Sequence, residues 1–260
     1  MQATNLLNVA RSALRPSRFA VMAKKVVRRL ADDKGLLSAA DNCKWLEQTG
    51  VEFAALAQQM DTALWQETAE FATRLEAQAA ETLAKLGHTL GGGGFSALLY
   101  FLTRQRKPAC VVETGVAAGY SSQTILSAME LNGRGILHSS DFPYFRLPNP
   151  ERFVGILVDE RLKHRWRLHI DGDEKNLPRI LADVEQIDLF HYDSDKSYAG
   201  RQRSLSLVLP KCGPSALIVM DDIQDNSFFH DYVTREKIQN YRVLKCEKNF
   251  VGVIGALEEK

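Results

Sequence analysis

Apolar residues recur at intervals of three and four through residues 36–90 (Leu46, Phe53, Leu56, Met60, Leu64, Phe71, Leu75, Leu83, Leu86), a stretch with no Pro and two Gly. That spacing predicts helices arranged as hairpins. Gly91 to Gly94 break the pattern, because four consecutive glycines leave the backbone too free to stay helical. The boundary between a helical extension (1–90) and a second domain (91–260) is placed there. From Phe95 the rhythm changes to short apolar runs separated by amphipathic stretches. A helix is expected over 95–104, a strand over 109–112 and a helix over 121–131. Further strands are expected over 135–140, 165–170, 187–192, 216–220, 241–246 and 250–256, with helices in all the gaps between these except the last.

Runs of this kind alternating with helices predict a parallel sheet covered on both faces. The last two runs are separated by residues 247–249 alone, which predicts an antiparallel hairpin at one edge. The expected fold class is therefore α/β: a Rossmann-like, doubly wound, mostly parallel seven-stranded sheet with an antiparallel C-terminal hairpin, preceded by an α-helical extension.

Composition adds exclusions rather than assignments. The 260 residues are 45% hydrophobic and 25% charged, with 33 basic against 32 acidic side chains. A net charge of +1 offers no field for nucleic acid, and none is expected as a partner. No apolar run approaches the roughly 18 residues that span a bilayer. Cys43, Cys110, Cys212 and Cys246 form no C-x-x-C pair, which fits neither a zinc site nor a disulfide framework. Cys110 and Cys212 adjoin apolar runs and read as buried thiols in a reducing, cytoplasmic compartment.

Charge is uneven only at the start. Residues 1–31 hold seven Arg or Lys (Arg11, Arg15, Arg18, Lys24, Lys25, Arg28, Arg29) and no acid, while Phe19, Met22, Val26 and Leu30 keep helical spacing. Three readings stay open for this amphipathic segment: a solvated helix packed on the domain, peripheral contact with an anionic membrane, or an organellar transit peptide.

Chemistry-bearing residues collect where the strands are expected to end, which is where open α/β sheets bind ligands. The first strand runs into Glu113-Thr114-Gly115-Val116-Ala117-Ala118-Gly119-Tyr120-Ser121-Ser122. Gly115 and Gly119 let the backbone approach a ligand, and the following helix offers free N–H groups at Tyr120 to Ser122. A dinucleotide fingerprint wants Gly at position 117, where this chain has Ala. The plain alternative is a tight strand-to-helix turn. Asp141 ends the second strand, where a carboxylate accepts both hydroxyls of a ribose, or caps a helix. Asp173 stands in the turn after the third strand, where a polar group reaches an adenine edge. Asp193, Asp221 and Asp222 end the fourth and fifth strands; like charges that close call for a proton or a cation among them, and hard oxygen ligands suit Mg²⁺. Otherwise these acids cap helices. His191 reads as a core histidine, Lys196 as a surface Lys or a catalytic one, and Tyr144, Phe145 and Trp166 as core or as the floor of a pocket.

The stretches VVETGVAAGYSS, HSSD, FHYDSDKSY and VMDDI resemble the class I S-adenosylmethionine-dependent methyltransferases. Within that class they are similar to the divalent-cation-dependent O-methyltransferases of catechols, caffeoyl-CoA and antibiotic sugars. The resemblance covers residues 95–256. It implies a methionine-binding role for Glu113 and a cofactor cradle at Gly115, Gly119, Tyr120 and Ser121. It further implies ribose binding by Asp141, adenine contact near Asp173, metal ligation by Asp193, Asp221 and Asp222, and a place beside the acceptor oxygen for Lys196. Relatives that use sugars often carry His at that last position.

The activity so implied is metal-assisted transfer of a methyl group to a hydroxyl oxygen of a small molecule or sugar, with Lys196 or Asp193 as base. A cation-independent methyltransferase and a non-catalytic binding module with a basic N-terminal surface are the alternatives. The helical extension is expected to act as a lid or as the face of a homodimer.

Overall fold

A computed structural model describes residues 35–86, 90, 95–143, 147–246 and 249–257. The basic segment, the Gly91–Gly94 boundary, Tyr144 and Phe145 lie outside the described residues.

The extension contributes α1 (Ala39–Thr49), β1 (Val51–Glu52), α2 (Phe53–Met60) and α3 (Thr62–Ala84). Side-chain caps set where two of its helices begin: the Ser38 hydroxyl accepts the Asp41 N–H, and the Asp61 carboxylate accepts the Leu64 N–H. The rest of the chain supplies α4 (Ser96–Arg106), β2 (Cys110–Thr114), α5 (Tyr120–Asn132), β3 (Ile136–Ser140), β4 (Trp166–His169), α6 (Asp173–Asp183), β5 (Ile187–Tyr192), α7 (Tyr198–Val208), β6 (Cys212–Met220), α8 (Phe228–Arg235), β7 (Tyr241–Cys246) and β8 (Asn249–Ile254).

The strands form one sheet in the order β1-β7-β8-β6-β5-β2-β3-β4. All neighbouring pairs are parallel except those of β8, which runs antiparallel to both β6 and β7. The expected seven strands and the hairpin are present. The eighth strand is a correction: Val51 and Glu52, read as helical, pair with Leu244 and Lys245 and cover the β7 edge. Two residues are too few to show a period-2 pattern, so no strand signal was there to read. A second correction concerns the gap between β3 and β4. Its described residues hold two 3-10 turns, Pro150–Phe153 and Glu160–Arg165, instead of an α-helix. Pro150 at a turn start and Gly155 at φ +69° interrupt any longer helix there.

Alternate residues of each central strand enter opposite cores. Val111, Leu189, Leu217 and Val219 face α2, α4 and α5, while Val112, Phe190, Ile218 and Met220 face α6, α7 and α8. Burial on both faces is why these strands read as apolar runs. The extension joins both layers: Phe53 and Ala57 of α2 lie in the first core, and Leu46 of α1 in the second. No described helix is long and apolar enough to cross a membrane. Cys110 and Cys212 are half-buried rather than buried, Cys43 is exposed, and all four cysteines are free thiols.

Candidate functional site

The order reverses between β2 and β5. From β2 the chain runs outward through β3 and β4, then returns to β5 on the other side. The ends of these strands carry the residues singled out above.

Gly115 and Gly119 both adopt positive φ, +86° and +102°. The structure gives each an internal reason. A Cβ on Gly115 would overlap the main-chain carbonyl of Asp193, and one on Gly119 would lie 2.8 Å from Cα of Gly155. Two further bonds tie down the segment around Gly155: its own N–H donates to the Ala117 carbonyl and that of Leu157 to Ala118, each at 2.9 Å. The turn is thus gripped from both sides by backbone. Gly119 opens α5 with no side-chain cap, leaving the N–H groups of the first turn, Tyr120 to Ser122, at a helix start. Tyr120 packs with Leu83, Leu86 and Leu90, which brings the extension over the turn.

Asp141 lies where expected, beside the turn, and its carboxylate is already engaged. Oδ2 accepts the N–H of Val116 (3.1 Å) and of Ala117 (2.6 Å), and Oδ1 accepts that of Phe142. Burial nevertheless outweighs these bonds and pushes its carboxyl up to about 6. Asp173 opens α6 and accepts the Ser140 hydroxyl at 2.5 Å. Asn176, fully buried and not singled out in the sequence, donates to Ser140 Oγ and to the carbonyls of Asp141 and His169, which joins the ends of β3 and β4.

Glu113 lies near the end of β2, as expected. It is fully buried and turned inward, where its Oε2 accepts the hydroxyls of Ser122 (2.6 Å) and Ser139 (2.7 Å). His191, its neighbour in register on β5, is also fully buried. The imidazole stands 3.6 Å from Glu113 Oε1 and 3.5 Å from Asp221 Oδ2. Burial opposes charge on the ring, but Asp221 and Glu113 outweigh it and raise its pKa to about 10. Burial also opposes charge on Glu113, yet His191 and the serine hydroxyls hold its carboxyl below the ordinary value. Trp166 extends this polar row by donating its indole N–H to Ser139. Its ring packs against Gly155, so Trp166 belongs to the core and not to a pocket floor.

On the other side of the turn, Lys196 stands between two of the three strand-end aspartates. Its ammonium is 2.9 Å from Asp193 Oδ1 and bonded to Asp222 Oδ2. Burial works against that charge, but Asp193 and Asp222 raise the Lys196 pKa above its ordinary range. Lys196 is thereby held as a cation. Burial and Asp221 push the carboxyl of Asp193 upward despite the lysine. Asp221 is buried, with Oδ2 3.5 Å from the His191 imidazole and Oδ1 without a hydrogen-bond partner among the described residues. The imidazole and the ammonium thus stand beside the charges that called for a cation, while Asp221 still pushes Asp193 upward. Among the described residues no group of three His, Cys, Asp or Glu is arranged to hold a metal. The donor set expected for Mg²⁺ is split between two partners.

The family profile described as "Methyltransferase domain" matches residues 112–223, which run from β2 through the strand-end aspartates. That match covers less than half of the chain, and the rest of the likeness is one of fold. Solved structures share its fold at low identity. An O-methyltransferase of tomaymycin synthesis from Streptomyces achromogenes, TomG, solved with SAM, is 15% identical at a TM-score of 0.52, over 71% of this chain and 89% of its own. An O-methyltransferase from Bacillus cereus, solved with SAH, is 14% identical at 0.51, over 81% and 99%. A methyltransferase from Geobacter sulfurreducens is 18% identical at 0.53, over 71% and 89%. No curated protein sequence matches the chain. The turn after β2 is thus in backbone contact with Asp193 at the end of β5.

Proposed function

We propose that this protein transfers the methyl group of S-adenosylmethionine to a hydroxyl oxygen of a small molecule, without a divalent cation. The carrying observation is the bridge that Lys196 makes between Asp193 and Asp222 at the end of β5, directly behind the Gly115 turn. The residues at that turn fit the methyl donor. A helix start presents N–H groups without a side-chain cap, Asp141, the ribose ligand that the resemblance implies, lies beside the turn, and Thr114 Oγ1 is buried at the strand end without a hydrogen-bond partner.

In an in-line displacement the acceptor oxygen forms its bond to the methyl carbon as the carbon–sulfur bond breaks, with the electron pair leaving on sulfur. The protein supplies proximity and charge. Asp193, with its carboxyl pushed up, takes the hydroxyl proton, because its basicity lies closer to neutrality than that of an ordinary aspartate. The Lys196 ammonium stabilises negative charge developing on the acceptor oxygen. A metal would have to displace that ammonium from both carboxylates. Glu113 acts indirectly, by fixing Ser122 in the first turn of α5.

The test is incubation of the protein with methyl-labelled S-adenosylmethionine and a panel of sugars, phenols and polyketides, with and without Mg²⁺ and chelator. The proposal expects label in at least one hydroxylated acceptor at a rate that chelator leaves unchanged. Label in amine or carbon acceptors alone, or turnover lost to chelator, contradicts it.

A further inference from the structure

Arg201 is the largest fully buried side chain among the described residues, 1% exposed, in the first turns of α7. Its guanidinium points at main chain. Nη1 donates to the Asp221 carbonyl (2.9 Å), Nη2 to the Asp222 carbonyl (2.8 Å) and Nε to the Lys196 carbonyl (3.4 Å). No ion pair involving it is found among the described residues, while its face lies 6.0 Å from the centroid of the Tyr192 ring. Asn226 adds a second N–H to the Lys196 carbonyl at 2.8 Å. Asp222 itself sits at φ +50°, in the left-handed region that Asp enters more readily than most non-glycine residues.

A buried cation bonded to main chain rather than to a carboxylate is a poor way to stabilise a core, since burying the charge carries a desolvation cost that a well-packed apolar residue avoids. What the guanidinium provides is shape. Its planar fork of donors reaches several carbonyls at fixed spacing, which neither an alkyl chain nor an ammonium reproduces. The three carbonyls are those of Lys196, Asp221 and Asp222, on two loops that are joined by no backbone pairing beyond the strand ends. We infer that Arg201 is a positioning residue for methyl transfer: it sets the separation of the Lys196 and Asp222 loops and holds Asp222 in its left-handed conformation. The inference rests on the reading of Lys196 and Asp193 given above. Arg201 touches neither reactant, and it acts through the backbone of residues that do.

The variants are Arg201→Met, which removes every hydrogen-bonding group, and Arg201→Lys, which keeps the charge and loses the fork. Asn226→Ala removes the second N–H from the Lys196 carbonyl and serves where the Arg201 variants do not fold. Amide hydrogen exchange of the folded protein is expected to accelerate in Arg201→Met over residues 194–197 and 221–226, and to stay unchanged in β2 and β3. Dissociation constants for S-adenosylhomocysteine should change by less than about threefold. With an acceptor from the panel, kcat should fall by about 10- to 100-fold, the scale of a 1 Å misplacement, at an unchanged KM for the methyl donor. Arg201→Lys should recover only part of that loss. Unchanged exchange in the two loops overturns the inference, and so does a kcat per folded molecule that is preserved while thermal stability drops. If the wild-type protein methylates nothing, the functional reading fails, and the exchange measurement still decides whether Arg201 holds the loops.

Discussion

The main-chain carbonyl of Asp193 stands where a side chain on Gly115 would have to go. The turn after β2 and the acidic end of β5 are therefore in backbone contact. Gly115 at φ +86° is needed both for the turn and for that approach. Gly115→Ala is expected to cost about 1–2 kcal/mol from the backbone conformation alone, before the overlap is relieved. The melting temperature should drop by roughly 2–8 °C, and affinity for S-adenosylhomocysteine by more than about tenfold. Thermal scanning and titration calorimetry measure both. Unchanged affinity would show that the turn does not face the ligand.

His191 compensates two buried carboxylates at once. Removing one member of a buried charged group costs about 3–5 kcal/mol, so His191→Leu should be strongly destabilised. The sign of the pH dependence follows from the raised pKa. The stability His191 contributes is fully present below its ordinary value of 6.5 and is lost as pH rises through about 10. Wild-type stability should therefore decline between about pH 7 and 9, and that slope should vanish in the variant. Denaturant titrations at several pH values provide the check, and equal slopes would contradict the account.

Lys196 bridges Asp193 and Asp222, two of the three acids expected to hold a metal. Lys196→Ala should lower turnover by about 10²- to 10³-fold, the scale of removing one charge-stabilising donor. It should also leave Asp193 and Asp222 facing each other without a cation. Calorimetric titration with Mn²⁺ is expected to show binding to this variant and none to the wild type. Binding of equal strength to both would put a metal in the wild-type site.

Asn42 of the extension is 1% exposed and donates to the carbonyls of Ile223 and Asn226, immediately after the Asp221–Asp222 pair. Asn42→Ala leaves both carbonyls without that partner, at a cost of about 1–3 kcal/mol. The expected result is a lower melting temperature together with faster amide exchange over residues 223–227. A loss confined to α1 would mean that the extension is docked on the site without supporting it.

The legible parts of the fold were those whose physics is local. Strands β2 and β5, buried on both faces, read as apolar runs, and the short β7–β8 connection announced its hairpin. The glycines and aspartates at the strand ends were also visible, because few residue types suit those positions. Orientation was not visible. Glu113 lies on the face of β2 that points to α5, and its partners Ser139 and His191 come from separate strands. No spacing along the chain tells whether its carboxylate meets a ligand or a histidine. The same applies to Asp221, whose turn toward His191 splits the expected metal set. Arg201 was passed over because Arg201-Gln202-Arg203 reads as a polar helix surface. Its signal was spacing: Arg201 falls four and seven residues before Leu205 and Val208, on the buried stripe of α7.

The central claim is that the Gly115 turn and Asp141 hold S-adenosylmethionine. Titration calorimetry of the wild-type protein and of Asp141→Ala with this ligand tests it most directly. Saturable one-to-one binding is expected for the wild type in the range of about 1 μM to 1 mM usual for enzyme substrates, weakened at least tenfold in the variant. A folded wild-type protein that shows no saturable binding at about 1 mM, or a variant that binds as tightly as wild type, would contradict the account.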